Sequence, residues 1–187
     1  MQIKDRLILG MVAGLGGNAV KTLADEILLK QKISKRSFRS TAAGVWVSKE
    51  KEATNFNGQV LGALFDFGLG SMGGIGMTYL LSKTGRDHVL AKGVLSGIAV
   101  GSTITATLSA FPQNKVKPKD AASNLAYMFS HAIYGIITTA TIAKLGHSSL
   151  FDVKPVNNYL PPTEQTTEER KGVSRESEEE QERITYH

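Results

Sequence analysis

Four long apolar stretches, residues 7–29, 56–81, 88–111 and 121–145, limit what this chain can fold into. A helix needs ~20 predominantly apolar residues to cross a hydrocarbon core of ~30 Å, and soluble helices seldom carry such runs on every face. The second stretch holds one charged residue, Asp66, and the third only Lys92. The fourth carries His131 near its middle and Lys144 at its end, and the first turns polar after Val20, at Lys21, Asp25 and Glu26. The pattern predicts an all-α transmembrane helical bundle of four spans. A mean hydropathy of -0.11 hides this, because charge is concentrated in the loops and the C-terminal end.

Helix punctuation supports these boundaries. Pro112 lacks the N–H that would continue the third helix, and Asp120 is placed to cap the fourth. The polar turn 82–87 is short, so the second and third stretches are expected to form an antiparallel hairpin. A basic loop of residues 30–54 joins the first two stretches and contains Trp46, whose indole suits a membrane surface. Residues 1–146 are therefore read as the membrane-embedded bundle and 147–187 as a disordered polar, acidic tail, too poor in apolar residues to offset chain ordering. Lys4 and Arg6 ahead of the run from Leu7 to Val20 also resemble a signal peptide, but no A-x-A-like site follows, which favours a retained span.

Small residues recur every fourth position inside the stretches. Gly10, Gly14 and Asn18 form one ladder, Gly58, Gly62, Asp66, Gly70 and Gly74 a second, and Gly93, Gly97 and Gly101 a third. Residues four apart share a helix face, so each ladder is a shallow groove. In lipid such grooves favour helix association, since close backbone approach replaces the hydrophobic drive. Gly68 to Gly73 match G-x-G-x-x-G, but no strand or turn precedes them, so a nucleotide site is not expected. Ser48 to Lys51 and Lys83 to Gly85 echo motifs of penicillin-recognising enzymes by coincidence, the chain being too short for that fold.

Ionisable groups inside a membrane are costly and mark candidate sites. Asp66 is expected to face the bundle and to meet Asn18, Lys21 or His131, with His131 the favoured partner. Asn124, His131 and Thr138 share a face at intervals of seven. Lys21 and Asp25 read as a local pair at the end of the first span. There are no cysteines, and the four histidines stand in unrelated surroundings, so neither a metal site nor a cofactor is expected. Nucleic-acid binding is not expected either, because the basic loop lacks an aromatic platform.

Lys and Arg number ten in the first and third loops against six on the opposite side (Lys4, Arg6, Lys83, Arg86, Lys144 and Lys154), or seven with Lys92, which places those loops in the cytoplasm and both termini outside. The layout of residues 5–145 resembles that of the YagU-like bacterial inner-membrane proteins. The suggestive residues are Gly10 to Glu26, Lys92 to Gly97 and Ser123 to His131; the acidic tail and dense glycine ladders depart from that pattern. The resemblance implies a multi-pass protein of the cell inner membrane and supplies no catalytic residues. The expected function is a non-enzymatic, glycine-packed scaffold whose partners are the bilayer and a second copy or another membrane protein. The alternative is a small channel or transporter with a proton or small-cation path near Asp66 and His131. A cheap discriminant is Asp66→Asn, which a scaffold tolerates and a proton path does not.

Overall fold

The computed structural model describes residues 2–117 and 119–151. Helix α1 spans Arg6–Lys30, the short α2 and α3 span Phe38–Ala43 and Glu50–Thr54, and α4, α5 and α6 span Phe56–Thr84, Val89–Ala110 and Ala121–Leu145. The four long helices are long and apolar enough to cross a membrane, as the four apolar stretches predict. Their starts are set locally. Asp5, Asn55 and Asp120 accept hydrogen bonds from the first-turn amides of Ile8, Gly58 and Ser123, at 2.8, 2.8 and 2.9 Å. Such caps satisfy amides that have no partner within the helix. Helix α4 stops at Gly85, whose φ of 80° with ψ of 178° is a positive-φ conformation open essentially to glycine alone. Lys92 then ties the turn together, its ammonium donating to the carbonyls of Thr84 and Gly85 and to Asp87.

Polarity is inverted relative to a soluble protein. Leu64, Met72, Leu95 and Leu125 are 69, 69, 69 and 70% exposed, whereas Thr78, Ser130, Thr138 and Thr139 are each fully buried. Exposed apolar side chains spread over all four long helices suit hydrocarbon surroundings, not water.

The helices pack as two close pairs. Helix α1 lies against α4, where an added methyl on Gly14 would overlap the Gly70 carbonyl and one on Gly74 the Gly10 carbonyl. Helix α5 lies against α6, where a methyl on Gly97 or Gly135 would overlap the backbone of the opposing helix. Helix α1 also packs on α6, which joins the pairs. The expected α4–α5 hairpin is corrected: a short turn connects them, yet each packs elsewhere and a cleft separates them. Gly58 and Gly62 likewise meet no long helix, facing instead the backbone of α3 and of Arg39 in α2.

Two segments read as loop or tail are structured. The basic loop contains α2, with Phe38, Thr41, Ala42 and Ala43 buried against the bundle. The boundary set at Gly146 is early, because Ser148–Leu150 form a 3-10 turn and Leu150 and Phe151 join the core around Leu9, Met77 and Ile142. An isolated parallel bridge between Ile3 and Gly146 holds the N-terminal segment beside this turn, with Ile3 N–H donating to Leu145 O and His147 N–H to Ile3 O. The rest of the sequence-predicted acidic tail lies outside the described residues.

Candidate functional site: a charge cluster within the bundle

Lys21 is the most deeply buried charged residue among those described, at 1% exposure. Its position on the inner face of α1 follows from the ladder of Gly10, Gly14 and Asn18, which brings α1 close to α4. The ammonium donates to both oxygens of Asp66 on α4, at 2.7 and 2.9 Å. Asp25, one turn further along α1, stands 3.5 Å away. The Phe38 ring of α2 covers the ammonium, with its centroid at 4.3 Å. Two carboxylates and an aromatic face thus surround one cation. Asp66 lies roughly 15 Å along α4 from its start, at ~1.5 Å per residue, well inside the span.

His131 on α6 borders the same space. Its Nδ1 lies 2.7 Å from the Tyr127 carbonyl. A carbonyl oxygen only accepts, so Nδ1 carries the hydrogen and Nε2 is the nitrogen left for a further proton. The ring packs edge-on against Phe38 at 4.9 Å and sits over Gly101, where a methyl would occupy its place. Tyr134 donates from its hydroxyl to the Gly70 carbonyl at 2.5 Å. Asn18, Asp66, Gly70, His131 and Tyr134 help line a cavity of about 10 Å³. That is near the least volume that holds one water molecule. The amide nitrogen of Asn18, a residue 1% exposed, has no hydrogen-bond partner among the described residues.

The structure gathers Asn18, Lys21, Asp66 and His131 into one region but revises their pairing. Asp66 makes its direct ion pair with Lys21, and His131 makes its direct hydrogen bond with Tyr127. Lys21 and Asp25 are part of a trio and not an isolated pair at a helix end. Asn124 stands apart, one turn into α6, with its N–H donating to the Asp120 carbonyl. Phe38, Tyr127 and Tyr134 were not singled out from sequence. Phe38 belongs to a loop helix whose polar run Ser37-Phe38-Arg39-Ser40 carries no apolar periodicity. The tyrosines did carry a signal, recurring at an interval of seven on the His131 helix.

The trio has an electrostatic consequence. Ionised, Lys21, Asp25 and Asp66 bear one more negative than positive charge, and an uncompensated charge in a low-dielectric interior is costly. The neighbouring Arg39 supplies no balance, because it pairs with Glu26. A proton on a carboxylate, a proton on His131 or a small cation would each neutralise the cluster. Comparison with protein-family models, with curated proteins and with solved structures finds no match.

Proposed function

We propose that this chain is a small, non-enzymatic transporter-type protein of the bacterial inner membrane, in which a proton or small cation competes with Lys21 for the carboxylates of Asp66 and Asp25. The supporting observation is the buried ion pair with its second carboxylate, a set one positive charge short of neutrality. Protonating Asp66 would remove its claim on Lys21 and leave the ammonium to Asp25. Loss of the bond between α1 and α4 would then alter the packing around the adjacent cavity. His131, whose Nδ1 is held by the Tyr127 carbonyl and whose ring borders the same cavity as Asp66, is the group we assign to relay that proton through Nε2.

The test is reconstitution of the full chain in proteoliposomes with a pH step and a pH-sensitive dye inside. Flux that depends on pH and disappears in Asp66→Asn, while the purified variant stays monodisperse, supports the reading. Absence of flux in the native chain under proton and cation gradients alike sinks it.

A second reading, a glycine-packed scaffold resembling the YagU-like proteins in layout, draws support from a different observation. The cavity beside Asp66, at about 10 Å³, is the size of a single water molecule, small for an ion pathway. Under that reading Asp66→Asn leaves cellular function intact, and the ion pair serves to fix the register of α1 on α4.

A further inference from the structure

Two neighbouring surfaces have no part in the charge cluster. One is the apolar cleft between α4 and α5, about 410 Å³ in volume, bounded by Phe65 and Leu69 on α4, by Ile104 and Leu108 on α5 and by Phe111 just past its end. Trp46 closes its end, stacked on Phe65 at 4.8 Å with the rings 7° from parallel. The volume falls in the ~300–1,000 Å³ range of ligand sites. The other is a hollow lined by Arg36, Asn114, Lys115, Lys117 and Lys119, about 380 Å³ in volume.

A single stretch of chain separates them. Phe111 and Gln113 line the cleft, while Pro112, Asn114 and Lys115 line the hollow. The stretch is held firmly. Asn114 donates to the carbonyls of Thr41 and Leu108 and accepts from Val116 N–H, and Lys115 N–H donates to Gly44 O. The basic groups are only partly compensated. Glu50 stands 3.6 Å from Arg36, and Asp120, whose carboxylate caps α6, also feels Arg36 and Lys35. Both surfaces lie at the end of the bundle where the Lys- and Arg-rich loops meet, the side the positive-inside rule assigns to the cytoplasm. Anionic lipid headgroups face that side.

We infer that this pair of surfaces is a binding site for one anionic phospholipid, with an acyl chain in the α4–α5 cleft and the headgroup phosphate on Arg36, Lys115, Lys117 and Lys119. Charge complementarity selects the headgroup, and the splay of α4 from α5 provides the slot. The slot is lined along α5 from Thr103 to Leu108, roughly 7.5 Å of helix at ~1.5 Å per residue, and continues to Phe111 just past its end. The inference stands apart from the proton reading, since neither Asp66 nor His131 touches the headgroup site.

The probes are dioleoyl phosphatidylglycerol and dioleoyl phosphatidylcholine, offered in equimolar mixture to the full chain in detergent, with retained lipid read by native mass spectrometry. The expected result is phosphatidylglycerol retained at least tenfold over phosphatidylcholine, at one molecule per chain. The triple variant Lys115→Gln, Lys117→Gln, Lys119→Gln should lose that preference, and Ile104→Trp, which fills the slot, should lose retention of the lipid. If Ile104→Trp does not fold, Thr107→Trp blocks the same slot from a more exposed position. Asp66→Asn should keep the preference whether or not it transports. Equal retention of the two lipids, or an unchanged preference in the triple variant, overturns the inference. So does displacement of the lipid by inorganic phosphate alone, which would make the hollow a plain anion site. A disulfide-linked dimer from Thr107→Cys in phosphatidylglycerol nanodiscs would overturn it too, since a second copy would then fill the cleft.

Discussion

Lys21 shows how one residue acquires its role from its surroundings. In water an i,i+4 pair with Asp25 would add only a few tenths of a kcal/mol. Buried between Asp25, Asp66 and the Phe38 ring, the same ammonium cannot lose a partner cheaply. Removing one member of a buried ion pair costs ~3–5 kcal/mol, chiefly through the charge left behind. Lys21→Met should therefore sharply lower the melting temperature in detergent, and Lys21→Met with Asp66→Leu should recover much of the loss. The cycle for Lys21 and Asp66 should give a coupling of ~0.5–3 kcal/mol, with a smaller one for Asp66 and His131. A coupling of Asp66 to His131 as large as that to Lys21 would overturn Lys21 as its primary partner, and a larger one would give that place to His131.

At the scale of elements, the glycines divide into those that meet backbone and those that meet nothing. Gly14 and Gly97 are pressed against the opposing helix, whereas Gly16, Gly68 and Gly76 have open space where a side chain would stand. Gly14→Ala and Gly97→Ala should destabilise the bundle in thermal melts. Gly68→Ala should leave it unchanged or raise its stability by up to ~1 kcal/mol, the helix-propensity difference. A uniform response at all three would mean that the seams are not packing surfaces. The four spans were legible because a run of apolar residues has one solution in lipid, and the caps because Asp120 stood just ahead of such a run. The α4–α5 splay was not, since a short turn constrains connectivity and leaves the choice of packing partner to side chains far away. The cluster was half legible: spacing put Asp66 and Asn18 on glycine faces, but which cation reached Asp66 depended on helix register. Asp120 offers a pH signature at this scale. The Ser123 N–H first of all, then nearby cations, hold its carboxyl below the ordinary carboxylate range. The cap's contribution is thus fully present above the unfolded pKa and lost as pH falls through the lowered folded one. Amide exchange in the first turn of α6 should be faster in Asp120→Ala than in the native chain at neutral pH, and the two should converge in acid.

As a whole, the molecule is two glycine-seamed pairs, α1 with α4 and α5 with α6, joined through the α1–α6 face. Apolar side chains cover the exterior of every long helix, so alkaline carbonate should leave the protein in the membrane pellet. Its release into the supernatant would refute a spanning arrangement. The seam between α1 and α4 also has a consequence for biosynthesis. The two members of the Lys21–Asp66 pair are 45 residues apart in sequence. At ~5–20 residues per second of synthesis, Lys21 leaves the ribosome seconds before its partner exists. Asp25, one turn away, travels with it as a local counter-ion and lowers the cost of presenting α1 to the bilayer alone. Asp25→Asn should then reduce the fraction of nascent chains that insert α1, scored by glycosylation reporters, even where the finished protein retains its Lys21–Asp66 pair.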